Sequence, residues 1–110
     1  MSTPAEFILV CTSCDDRTVL ADIAAAAVEL HLAACAQISG PVVSTYVWEG
    51  AIETANEWLL SLKTAAAQWE ALREFIAQRH SYQVPEIVAV PLVACSVPYA
   101  QWLRAHLAGA

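Results

Sequence analysis

The chain has 110 residues, 58% of them hydrophobic, and carries eleven acidic against five basic side chains for a net charge of −6. The bases Arg17, Lys63, Arg73, Arg79 and Arg104 are scattered along the sequence, so the basic stripe that nucleic-acid binding needs is missing. The longest charge-free stretches, 32–48 and 87–103, are broken by Gly40-Pro41, Pro91 and Pro98, which excludes a spanning helix of roughly 20 apolar residues.

A mean hydropathy of +0.50 is high for a chain of this size. One domain, 1–110, is expected, with its apolar excess covered at subunit interfaces. The N-terminal stretch 1–6 has no basic run and leads straight into a strand, so no export signal is expected. The four cysteines are then read as reduced thiols of a cytoplasmic protein.

In chain order, residues 7–11 form a continuous apolar run that predicts a strand covered on both faces. Asp15 and Asp16 supply capping oxygens for a helix reaching to about Leu32, with Val19, Leu20, Ile23, Ala27 and Leu30 at near-helical spacing. Residues 34–38 are a second apolar run, closed by Ser39-Gly40-Pro41. Two long β arms follow, 42–48 and 52–64, around a tight turn at Glu49-Gly50. The second arm exceeds the usual ~5–6 residues of a strand, so the outer half of the hairpin should overhang the domain and be covered by another copy of the chain.

Trp69, Leu72, Phe75 and Ile76 then fall on one side of a second amphipathic helix that ends near Arg79-His80. A loop at 81–85 precedes a strand at 87–90, and Pro98-Tyr99 opens a last short helix carrying Trp102, Leu103 and His106. The order predicts an α+β, ferredoxin-like β-α-β-β-α-β sandwich with a long β-hairpin and a C-terminal helix.

Three places can carry chemistry. Cys11 and Cys14 have C-x-x-C spacing at the end of a strand and the start of a helix, and are expected near the surface, with Cys14 beside the aspartate pair the stronger candidate. Cys35 and Cys95 read as core packing. His80, Tyr82 and Glu86 put an imidazole, a phenol and a carboxylate within one short segment, suited to a borderline metal or a bound anion; the plainer alternative is a histidine ending a helix. Trp48 and Glu49 with Lys63 mark the third place, where Lys63 could hold an anion. No glycine-rich phosphate loop or Ser/His/Asp series is present.

The succession Leu32-Ala33-Ala34-Cys35, Tyr46-Val47-Trp48-Glu49-Gly50, Leu62-Lys63-Thr64, His80-Ser81-Tyr82-Gln83-Val84-Pro85-Glu86-Ile87 and Pro98-Tyr99-Ala100-Gln101-Trp102-Leu103 resembles the CutA family of divalent-cation tolerance proteins. The resemblance implies a homotrimer in which long hairpins wrap adjacent subunits. It also implies a non-enzymatic link to divalent-metal, especially copper, tolerance. The metal residues it points to are Cys14, His80 and Glu86, taking Cu(II) or another divalent transition metal weakly between subunits. The chain departs from the family pattern at Thr12, Asp15, Ala51, Arg79 and Ser81. A second implication is a PII-like signalling trimer with a small-molecule effector in the intersubunit cleft, drawing on Trp48, Lys63 and Tyr82 with Glu86 beside them. A cysteine enzyme built on Cys14 and His80 lacks the orienting third group and oxyanion donors such chemistry requires.

Overall fold

Alternation along three long strands divides the molecule into a closed face and an open one. The computed structural model describes residues 4–107, so residues 1–3 of the N-terminal stretch read above lie outside it. The elements are β1 (Phe7–Cys14), α1 (Arg17–Glu29), β2 (Cys35–Trp48), β3 (Ala51–Ala65), a 3-10 turn (Ala66–Gln68), α2 (Trp69–Arg79), β4 (Ile87–Pro91) and α3 (Val97–Ala105). The strands form one antiparallel sheet in the order β2-β3-β1-β4, the ferredoxin-like arrangement expected from the element order.

On the closed face, Val10, Cys14, Leu60 and Leu62 project from the sheet into a core completed by Leu20, Ile23 and Ala27 of α1 and Leu72 and Ile76 of α2. Burying each large aliphatic side chain contributes about 1.5–3 kcal/mol, so this layer is the main source of stability. Asp16 caps α1 as the sequence suggests, its carboxylate accepting from the Thr18 N–H at 2.9 Å. A smaller cluster of Phe7, Ala34, Ala100, Leu103 and Leu107 seats α3, whose Arg104 clasps Glu6 through two hydrogen bonds of 2.6 and 2.7 Å.

Three boundaries differ from expectation. β1 continues through Thr12, Ser13 and Cys14, because β3 is long enough to pair them with Leu60, Leu59 and Trp58. α1 stops at Glu29, where Leu30 caps it and His31 turns left-handed at φ 60°. The runs 34–38 and 42–48 are not separate elements but one strand, β2, in which Gly40-Pro41 shifts the register between Ser39 and Val42. β2 is an edge strand, and there a proline without an N–H and a register shift are tolerated.

The reversal at Glu49-Gly50 has positive φ at both residues, 50° and 80°, as a type I′ hairpin turn requires. β1 pairs with β3 only from Trp58 to Ala65, so residues 51–57 pair with β2 alone. The outer half of the hairpin therefore overhangs, with Val43, Val47 and Ile52 more than 70% exposed.

Two buried threonines give a stability test. Thr64 Oγ1 donates to the Leu32 carbonyl at 2.7 Å, whereas Thr12 Oγ1 is the buried side-chain oxygen or nitrogen without a partner among the described residues. An unsatisfied buried hydroxyl costs ~1–3 kcal/mol. Thr12→Val should therefore raise the unfolding free energy in a urea titration by about 1 kcal/mol, while Thr64→Val should lower it by a similar amount. Equal losses from both would place a hidden partner at Thr12.

Candidate functional site

The loop that follows α2 folds back over the open face of the sheet, and its anchors are local. His80 ends α2, its backbone N–H bonded to the Ile76 carbonyl at 2.9 Å. Its ring is buried, with Nε2 2.8 Å from the Ser13 carbonyl and Nδ1 3.0 Å from the Tyr82 amide nitrogen. A carbonyl can only accept and an amide N–H can only donate, so the ring carries its proton on Nε2 and both nitrogens are engaged. The plainer sequence reading of His80, a helix-ending residue, describes this placement.

Tyr82 is the second anchor. Its hydroxyl donates to Glu57 Oε2 at 2.6 Å and accepts from the Asp15 N–H at 2.8 Å. The ring leans on His80 with centroids 4.8 Å apart. Burial, and then the hydrogen bond to the Glu57 carboxylate, push the Tyr82 hydroxyl well above the ordinary tyrosine range.

Cys14 is fully buried on the closed face, not near the surface as its strand-end position suggested, because β1 runs on to include it. Its sulfur accepts from the Asp16 N–H at 3.4 Å and lies 3.3 Å from Ser81 Oγ. Cys14 and His80 thus meet the same loop, but their hydrogen-bond partners are different. Glu86 is exposed at the start of the run into β4. Among the described residues, no three of His, Cys, Asp and Glu converge as a ready metal-binding group.

Where the loop crosses the open face it borders a half-open cavity of about 870 Å³. Strand alternation places Ser13, Leu59, Glu57, Ser44, Tyr46 and Trp48 along its sheet side, and residues 81–86 form the other wall. Trp48, Tyr82 and Glu86 are therefore brought together. Lys63 is not. It lies six residues along β3 from Glu57, roughly 20 Å at ~3.3 Å per strand residue, with Nζ donating to Gln37 Oε1 at 3.2 Å and 6.0 Å from the Tyr99 ring centre. Sequence reasoning missed Glu57, which is only 5% exposed. The one available signal was its place on the same strand face as Leu59, within the long arm.

Comparison with known proteins places this geometry in context. The family profile described as CutA1 divalent ion tolerance protein matches residues 8–106. Protein CutA of Homo sapiens is 38% identical over 84% of the chain, which spans about half the length of that relative. The divalent-cation tolerance protein CutA of Citrobacter koseri is 36% identical over 97% of the chain and 92% of its own length. Among solved structures, the stable protein CutA1 from the psychrotrophic bacterium Shewanella sp. SIB1 superposes with a TM-score of 0.92 at 33% identity, covering 96% of this chain and 99% of that one.

The Tyr82 contact has a pH signature. A hydroxyl whose folded pKa is raised contributes stability that is complete below the unfolded value of ~10 and is lost as pH rises through the folded value. Thermal stability should therefore fall above pH ~10 in the native sequence and fall less steeply in Tyr82→Phe. In a Tyr46→Phe/Tyr99→Phe background, alkaline absorbance titration should show Tyr82 ionising earlier once Glu57→Gln removes the adjacent charge. An unchanged titration would mean that the carboxylate does not hold the hydroxyl.

Proposed function

The chain belongs to the CutA1 divalent ion tolerance family, and from that premise we propose that it serves divalent-cation tolerance without catalysis, as a cytoplasmic homotrimer. Family membership over nearly the whole chain carries this reading. The trimer is supported by the overhanging hairpin, whose exposed Val43, Val47 and Ile52 need cover that one protomer does not supply. The cytoplasmic assignment is supported by four cysteines that are all unpaired. No helix among the described residues is long and apolar enough to cross a membrane.

The metal ion is the cargo in this reading, Cu(II) or another divalent transition metal, with Cys14, His80 and Glu86 as its donors. Thiolate and imidazole suit copper or zinc better than calcium or magnesium. One condition follows from the hydrogen bonds on either side of the ring. His80 must release the Ser13 carbonyl or the Tyr82 amide before it can ligate, so binding is weak and coupled to movement of the loop.

A second reading is favoured by a specific observation, the cavity that gathers Trp48, Tyr82 and Glu86. Its size lies within the ~300–1,000 Å³ of small-molecule sites, as suits a PII-like module that answers to a small effector.

Titration calorimetry of the reduced protein with Cu(II) and Zn(II), alongside light scattering, separates the readings. The metal reading expects trimer mass, about one ion bound per protomer, and at least about tenfold weaker binding in His80→Ala. Trimer mass with no heat from either ion would end the direct metal role and leave the cavity as the functional site. A monomer mass would overturn the homotrimer.

A further inference from the structure

The cavity on the open face is lined by two carboxylates, Glu57 and Glu86, and by no basic side chain. Glu57 is 5% exposed, yet among the described residues no cation pairs with it. Its Oε2 accepts from the neutral Tyr82 hydroxyl, and no hydrogen bond reaches Oε1 among the described residues; Thr12 Oγ1, not Oε1, is the buried orphan, so Oε1 stays open to the cavity it lines. A carboxylate largely shielded from water and bonded to only a neutral donor gains from a charged donor at its open oxygen. The protein could have supplied that donor from its own bases, but no Lys, Arg or His lines this cavity.

The rest of the wall points the same way. Tyr46, Trp48 and Tyr82 contribute aromatic rings to the lining, and the faces of such rings attract cations. Glu86 adds a second carboxylate. An anion entering here would meet two negative groups and no positive one, and Lys63, the base grouped with these residues from sequence, lies outside the cavity. A bare metal ion would find too few donors, since no three candidate ligands converge. A quaternary ammonium would satisfy the rings but could not donate to Oε1.

We infer that this cavity receives a small organic cation, a primary ammonium or guanidinium group whose N–H donors bind the free carboxylate oxygen of Glu57, with Trp48 and Tyr46 enclosing its aliphatic part and Glu86 holding any second positive end. The inference rests on the small-molecule reading above and names its ligand class. The same chemistry could arrive on a basic side chain of a second copy, and the test distinguishes that source.

The experiment is calorimetric titration of the full chain in its native assembly with agmatine and n-butylammonium, with 1-pentanol as neutral and glutarate as anionic counterparts. The two cations should bind saturably, and the neutral and anionic probes should not. Glu57→Gln should weaken the cations about ten- to hundredfold, the worth of a charged hydrogen bond. Trp48→Ala, in the partly exposed hairpin, should weaken them about three- to tenfold at unchanged oligomer mass by light scattering. Glu74→Gln on α2 should leave binding unchanged. Binding of glutarate or pentanol without the cations would overturn the ligand class while keeping the cavity as a small-molecule site. No binding by any probe would overturn both. Loss of oligomer mass in Glu57→Gln, with no amine binding to the native protein, would overturn the free ligand and assign the carboxylate to a basic side chain of a second copy.

Discussion

The hydroxyl of Tyr82 joins three parts of the chain that the topology alone does not hold together. It donates to Glu57 on β3, accepts from the backbone of Asp15 at the entry to α1, and belongs to the loop leaving α2. Because Glu57 is buried, its carboxylate has to be met by a donor, and Tyr82 is the donor the chain provides. The loop is thereby fixed across the sheet, and the same placement sets His80 between the Ser13 carbonyl and the Tyr82 amide. The cavity wall, the engagement of both imidazole nitrogens and the Glu57 oxygen left facing the cavity are all tied to this contact.

The sheet explains why such a loop is needed. One face is closed by α1 and α2 over an aliphatic core, and the other has no helix of its own over the hairpin. A two-stranded ribbon that projects beyond its neighbours exposes both faces to water and leaves an unpaired edge. Residues 81–86 cover part of one face within the protomer, where Glu57 and the aromatic residues meet, and leave Val43, Val47 and Ile52 uncovered. The cavity and the uncovered apolar residues are therefore neighbouring stretches of the same ribbon.

The sequence made the fold legible because its elements have clean periods. The helical stripe of Leu20, Ile23 and Ala27 and the β-rich arms around Glu49-Gly50 announced themselves locally. Gly40-Pro41 misled, since a Gly-Pro pair reads as a break unless the strand is known to be an edge, which only the sheet order reveals. Cys14 was expected nearer the surface because β3's reach past Cys11 is a pairing fact, not a local one. Of the residues grouped from sequence, Trp48, Tyr82 and Glu86 line one cavity, whereas Lys63, which shares the hairpin with Trp48, is carried by a strand's rise to its far end. Glu57 gives no local signal because, like Glu53 on the same strand, it reads as solvent-facing, and its burial comes with a loop residue 25 positions away.

The most direct test is a double-mutant cycle between Glu57 and Tyr82, using Glu57→Gln, Tyr82→Phe and the double variant in denaturant unfolding at one fixed protein concentration. A shared, charge-assisted hydrogen bond predicts that the two single losses exceed the double by about 1–3 kcal/mol. Simple additivity would contradict the account, because the loop would then be held over the sheet by something other than this pair.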